Sequence, residues 1–235
     1  MRRMKSFLPD DLERPIASVD LVIFSLGNDG LDVLLSKRSR APFAGRWALP
    51  GGFIHKDEDA NTEASARRVL RDKTGIETPY VEQLQTFGDS ARDPRGWSIS
   101  ITYMALIDAA AVELRKGEGV SEVRWWPTAH TGVATTLAFD HDAILAAALD
   151  RLRRKVEYTT LPAHLLPESF TLSELQSVYE RILDRALDKS AFRKRIAEAD
   201  FVEPIAGVMR RASNRPAQLY RLKKPLGTVF FNRTI

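Results

Sequence analysis

The chain has 235 residues, 44% hydrophobic and 28% charged, a composition that fits folded globular domains and excludes a disordered or fibrous polymer. It contains no cysteine, which excludes disulfides, thiolate metal sites and cysteine nucleophiles and makes a reducing, cytoplasmic setting the expectation. The net charge of +4 is unevenly divided: residues 1–150 carry 18 Lys and Arg against 22 Asp and Glu, whereas residues 151–235 carry 17 against 9. A concentrated positive region is the footprint of a polyanion partner, because neutralising phosphates releases condensed counterions. The opening residues MRRMKSFLPDDLERP have no apolar stretch after their basic residues, so no secretory signal is expected. Nothing approaches the roughly 18 apolar residues of a membrane span, so no membrane partner is expected either.

In chain order, 17–24 and 31–38 are rich in β-branched residues and are separated by Gly27, Asn28, Asp29 and Gly30, which predicts a hairpin. A third extended piece, RWALPGGF, ends in Gly51-Gly52-Phe53, and NTEASARRVLRDKTGI then has helical character up to Gly75. Strands are predicted at 80–88, at 97–107, where Trp97, Ile99, Ile101 and Tyr103 alternate with smaller residues, and at 122–127. In that last strand Trp125 and Trp126 are expected to divide between core and surface. A helix follows at about 139–153. This order predicts a mixed sheet with helices rather than regular βαβ units.

Beyond Lys155 the pattern changes. Thr171 followed by Glu174 has capping-box spacing, and Leu172, Leu175, Val178, Tyr179 and Ile182 share one side of a helix over 171–183. A second helix is predicted over 190–199 after Asp188, and two extended pieces, 201–207 and 217–223, flank a basic loop. Helix, turn, helix, hairpin is the winged-helix order. Phe192 and Ile196 point inward, leaving Arg193, Lys194 and Arg195 on the remaining faces, and Arg210, Arg211 and Arg215 crowd the loop where a wing meets phosphate. His55, His130, His141 and His164 have no ligand spacing and read as surface or capping residues.

The segment from Gly51 to Ile76 resembles the Nudix box, in which helix carboxylates spaced three and four apart hold divalent cations against a diphosphate. Lys37-Arg38-Ser39 and the run Phe43 to Phe53 resemble the approach into that box. The chemistry departs from the pattern. Arg68 is in place, but Val69 and Lys73 stand where carboxylates are expected and only Asp72 is acidic. The stretch from Gly52 to Arg68 is two residues longer than the pattern, so the upstream acidic position falls on Ala60, with Glu58 and Glu63 nearby. Lys73 places a positive charge where a cation would sit and can replace it as a phosphate partner. The loop Thr86 to Trp97, with Arg92, Asp93 and Arg95, resembles one in Nudix proteins that handle ADP-ribose and in their regulatory relatives. Its arginines can fork onto phosphate or ribose.

Taken whole, the chain resembles the Nudix-related transcriptional regulators of NAD metabolism, the NrtR-like proteins, including at Asn214-Arg215-Pro216-Ala217 and Leu219-Tyr220-Arg221. The resemblance implies an α/β (α+β) architecture: a Nudix-type α/β/α sandwich with a mixed sheet over 1–153, a small winged helix-turn-helix domain over 154–225 and a tail over 226–235. It implies a homodimer that binds double-stranded operator DNA and responds to ADP-ribose or a related NAD metabolite, with no cofactor, metal ligand or catalytic residue required. The expected ligand residues are Arg38, Arg46, Trp47, Gly51, Gly52, Phe53, Lys73, Arg92, Asp93 and Arg95. The expected DNA residues are Ser190, Arg193, Lys194, Arg195, Arg210, Arg211 and Arg215. One alternative is an active ADP-ribose or NADH pyrophosphatase with a basic appendage, using Glu58, Glu63 and Asp72. A general nucleic-acid binder is the other.

Overall fold

A computed structural model describes residues 14–28, 30–75, 80–112, 114–130, 136–210, 216–223, 228–231 and 234–235. The predicted hairpin forms β1 (Ile16–Leu26) and β2 (Leu31–Arg38), paired antiparallel from Phe24↔Val33 to Leu26↔Leu31. Two short strands, β3 (Trp47–Ala48) and β4 (Gly51–Phe53), pair with β2 and β1 respectively. After them runs the helix α1 (Thr62–Thr74), capped by Asn61, whose side chain accepts from Ala64 N, and ended by Gly75 at φ 73°. That left-handed turn is one a side-chain-bearing residue resists.

The sheet continues with β5 (Val81–Asp89), β6 (Ser98–Leu106) and β7 (Val120–Pro127). β6 runs parallel to β1 from Ile16↔Ser98 to Phe24↔Leu106, whereas the other pairings are antiparallel, which makes the sheet mixed. The helix α2 (His141–Val156) covers one face and α1 the other. Strand alternation allocates the core: Val19, Leu21 and Ile23 pack with Val69 and Leu70 of α1, and Val22 and Phe24 pack with Ile144, Leu145, Ala148 and Leu152 of α2. On the α2 face the alternation has a second feature. Ser18 and Asp20 precede Val22 and Phe24 on β1, and Ser98, Ser100 and Thr102 precede Met104 and Leu106 on β6. Since the two strands run parallel in register, their polar halves lie side by side.

The C-terminal part begins with a 3-10 turn at Leu161–Leu165 and continues with α3 (Leu172–Leu183), α4 (Lys189–Ala199) and the hairpin β8 (Val202–Arg210) and β9 (Ala217–Leu222). The capping box at Thr171 and Glu174 is present. A backbone bridge from Phe170 to Tyr220 adds a one-residue third strand to this hairpin, a pairing that no local pattern announces. Leu161, Phe170, Leu175, Tyr179, Phe192 and Phe201 are continuous with the α2-side core, so the two parts share buried apolar surface. Tyr179 Oη donates to Thr159 O (2.8 Å), just beyond α2, and Arg181 donates to Gly27 O and to Gly30 O. The described tail docks at this junction: Phe231 N donates to Tyr158 O (2.8 Å) and Ile235 N to Glu157 O (2.7 Å). Among the described residues no helix is long and apolar enough to cross a membrane.

Candidate functional site

The polar half of β1, Ser18 and Asp20, forms the floor of a cleft of about 490 Å³, walled by β2, β4, Phe139 and His141 at the start of α2, and one side of α1. Asp20 is buried and accepts from Ser100 Oγ (2.6 Å). Gly51 also lines the cleft, and glycine is required there because a Cβ would stand 2.0 Å from Asp20 Oδ1. Beside Asp20, Arg92 has only 4% of its side chain exposed; Nε and Nη2 donate to the two oxygens of Asp140 (2.9 and 2.8 Å) and Nη1 donates to Ser98 Oγ (3.2 Å). Arg92 is therefore a structural cation of the floor rather than a free fork. His141 Nδ1 accepts from Leu49 N (2.9 Å), which requires that nitrogen to be unprotonated, and burial holds its pKa below the usual histidine value. Sequence reading placed His141 as a surface or capping residue; it is an internal post between β3 and α2, as is fitting for a residue whose partners lie far away in the chain. His164 is also half-buried, His55 is exposed, and the side chain of His130 lies outside the described residues.

The helix α1 presents Arg68, Val69, Asp72 and Lys73 to the cleft. Arg68 Nε and Nη2 each donate to Asp59 (2.8 Å), and Nη2 also reaches Phe53 O (2.8 Å). Asp59 also accepts from Ser65 Oγ (2.6 Å) and His55 N (2.8 Å), and the Arg68 guanidinium holds its carboxyl well below the usual carboxylate range. The longer loop thus supplies an upstream acid one residue before Ala60, which spacing alone had not singled out. Glu58 pairs with His55 and Glu63 with Arg67, both exposed, and neither lines the cleft. Val69 is buried and apolar, and Lys73 Nζ donates to the carbonyl of Glu118. Among the described residues no three His, Cys, Asp or Glu side chains gather as a metal set. With one acid, Asp72, an apolar Val69 and an ammonium on the same face, this donor set does not fit the hard divalent cation that the Nudix fold employs.

The rim is cationic and aromatic. Arg38 spends Nε on Pro42 O (2.7 Å), and its terminal nitrogens carry no hydrogen bond among the described residues. Desolvation and the charge of Arg95 lower its proton affinity, so an anion placed here relieves both effects. Arg95 is held by Asp93 (2.6 Å) and lies over the ring of Phe53 (5.0 Å to the centroid). Arg40 pairs with Glu118 (2.9 Å) in full exposure, an ion pair that costs little to exchange for a phosphate. Gly52, Phe53, Lys73, Asp93 and Arg95 line the cleft, and Arg46 and Trp47 lie outside it. Trp47 turns into the core edge-on to Trp126 (5.3 Å), and Arg46 is exposed beside Phe43. Trp97 is 49% exposed and also lies outside the cleft.

In the C-terminal part, Gln176 Nε2 donates to Leu187 O and Glu180 Oε1 (both 3.0 Å), fixing the turn between α3 and α4. Asp188 caps α4 through Ala191 N (2.7 Å), and Phe192 packs edge-on to Tyr179 (5.3 Å). With Phe192 and Ile196 turned inward, Ser190, Arg193 and Lys194 face outward and Arg195 is half-buried. The Arg210 guanidinium donates to Glu174 and to Ser169 O (3.2 Å), tying the hairpin to the start of α3. Arg211 and Arg215 lie outside the described residues.

A sandwich whose cleft is lined with cations, joined to a helix-turn-helix with a two-stranded wing, defines a Nudix domain carrying a DNA-binding module. Residues 15–148 match the NUDIX domain family and residues 162–222 match the NrtR DNA-binding winged helix domain. An ADP-ribose-responsive transcriptional repressor of Acinetobacter baylyi is 43% identical over 93% of this chain and 86% of its own length. The structure of Shewanella oneidensis NrtR bound to a 27mer DNA superposes with a TM-score of 0.84 at 39% identity, covering 93% of this chain and 99% of that one. Its NUDIX domain in complex with ADP-ribose gives 0.58 at 39% identity over 63% of this chain and 94% of that one. The chain belongs to the NrtR family of Nudix-related transcriptional regulators.

Proposed function

We propose that this chain is a cytoplasmic, homodimeric DNA-binding repressor of genes of NAD metabolism, which senses ADP-ribose or a related nucleotide in its Nudix cleft and does not cleave it. What supports the reading is a cleft in which Val69 and Lys73, at positions where the Nudix pattern expects carboxylates, share the lining with Arg38, Arg40 and Arg95. Hydrolysis of a diphosphate requires an activated water and neutralised charge at the leaving oxygen, and fixed cations supply only the second. The division expected from sequence places the sensor over 1–153, the DNA module over 154–225 and a tail over 226–235. Arg38 and Arg95 grip the diphosphate, with Lys73 and Arg40 at the edge and Phe53 offering a face for stacking. Ser190, Arg193, Lys194 and Arg195 on α4 enter the major groove, and Arg211 and Arg215 meet the backbone. In a dimer the half-sites lie about 34–36 Å apart, one helical turn.

Incubation with ADP-ribose and magnesium tests the non-catalytic part. ADP-ribose remains intact on this reading; rapid release of AMP and ribose phosphate makes the chain a hydrolase. Competition by unrelated duplex tests the DNA part, since a sequence-specific complex survives salt that dissolves the non-specific one.

A further inference from the structure

Phe139, immediately before Asp140 and α2, adopts the left-handed conformation at φ 58°, a region that bulky L-residues rarely occupy and that concentrates at functional positions. Its neighbours hold it there. Ala138 N donates to Trp47 O (2.8 Å), Leu137 N to Asp142 Oδ2 (3.1 Å), and both oxygens of Asp140 are taken by Arg92. The ring packs edge-on to Phe43 (4.9 Å) and lies beside two cleft cations, with Arg38 Cζ 4.8 Å and Arg95 Cζ 5.8 Å from its centroid. Those cation–ring contacts are electrostatic and compete with any anion that draws the guanidinium groups away.

The residue after Phe139, Asp140, is the N-cap of the 16-residue helix α2. At 1.5 Å per residue α2 spans about 24 Å. Its far end is built into the DNA module: Thr159 Oγ1 donates to Lys155 O (2.7 Å), Thr159 O accepts from Tyr179 of α3, and Tyr158 O and Glu157 O hold the C-terminal tail. A displacement of the first turn of α2 therefore reaches α3 through packed and hydrogen-bonded groups, and α3 carries α4 on its face.

Resting on the ADP-ribose reading above, we infer that Phe139 is the positioning residue that converts occupancy of the cleft into movement of α2 and of the winged helix. A diphosphate that engages Arg38 and Arg95 strips the ring of its cation contacts, the strained backbone at Phe139 relaxes, and the start of α2 shifts with it.

The test measures operator affinity of the full-length chain, without ligand and at saturating ADP-ribose, with saturation verified by titration. The wild-type chain and Phe139→Tyr, which keeps the ring, shift affinity by the about 5–150-fold usual for allosteric coupling. Phe139→Leu, which removes the π face, and Phe139→Gly, which also frees the left-handed backbone, bind operator without ligand as the wild-type chain does at saturating ADP-ribose, and their shift falls to near unity. A full shift in Phe139→Leu and Phe139→Gly overturns the inference while leaving the functional reading intact. Loss of ADP-ribose binding in both also overturns it, by making Phe139 a ligand contact. No shift in the wild-type chain overturns the functional reading, and the inference falls with it. Hydrogen exchange on the wild-type chain avoids variants altogether: ADP-ribose alters exchange at both ends of α2, and a change confined to the cleft contradicts the inference.

Discussion

Replacing Arg92 with leucine probes the floor of the cleft. Arg92 is almost wholly buried, gives Asp140 two hydrogen bonds of 2.8–2.9 Å, and stands 3.7 Å from the buried Asp20. Removing one member of a buried pair leaves an uncompensated charge at a cost of about 3–5 kcal/mol. Asp140 retains 22% side-chain exposure, so part of its charge stays hydrated, and about 3 kcal/mol is the figure to expect. For a chain of this size, that loss lowers Tm by roughly 6–12 °C. Asp140→Leu alone is also destabilising, and the double variant Arg92→Leu/Asp140→Leu loses less than the sum, with a coupling of about 2 kcal/mol. Removal of the exposed Arg154–Asp150 pair serves as a control and costs at most about 0.5 kcal/mol. Urea and thermal unfolding report these values. Additivity within about 0.5 kcal/mol, or a loss below about 1 kcal/mol in Arg92→Leu, refutes the claim that this cation holds the floor together.

Arg38→Ala removes the guanidinium with unspent donors and weakens ADP-ribose binding by about 10–100-fold by calorimetry, the effect of losing a charge-assisted bond or two. Alanine at Arg193, Lys194 and Arg195 abolishes operator binding and leaves ADP-ribose binding in place; equal loss of both signals a misfolded chain. His141 accepts a backbone hydrogen bond and is kept neutral by burial, facing Asp20, Asp140, Arg92 and Arg38. As pH falls below the ordinary value of 6.5, the unfolded chain takes up a proton that the folded chain refuses, so stability declines on the acid side of that value. The decline disappears in His141→Gln, as followed by urea unfolding across pH 5–8; a profile unchanged by that substitution contradicts the assignment.

Much of the fold was legible because its signals are local. The β1–β2 hairpin, the Thr171–Glu174 capping box and the inward-facing Phe192 and Ile196 lie within a few residues of the signals that specify them, and each is present. The non-local bridge between Phe170 and Tyr220 was invisible to the same reading. The cleft divides in the same way. Arg38, Gly51, Gly52, Phe53, Lys73, Asp93 and Arg95 belong to one contiguous motif or loop and converge on it. Asp20 and His141 come together in the cleft only through the docking of α2 on the sheet, which also brings Asp140 onto Arg92. Trp47 and Arg46 sit within the motif, yet the two-residue strand β3 turns Trp47 to the core, and Arg46 precedes it on the surface. Arg210 was read as part of a basic cluster, but Glu174, 36 residues earlier, claims its charge. Counting along the Nudix pattern does not reach Asp59, because a loop two residues longer moves the pairing acid by one position.

The central claim is that a cleft built for diphosphate chemistry has been retained for sensing. It is tested most directly by titrating operator DNA with the full-length chain, with and without ADP-ribose, in buffer containing EDTA, while following the nucleotide by chromatography. The account predicts that ADP-ribose alters operator affinity by at least about 5-fold without any divalent cation and is recovered intact. An operator affinity indifferent to ADP-ribose, or an effect that appears only with magnesium and AMP formation, contradicts it.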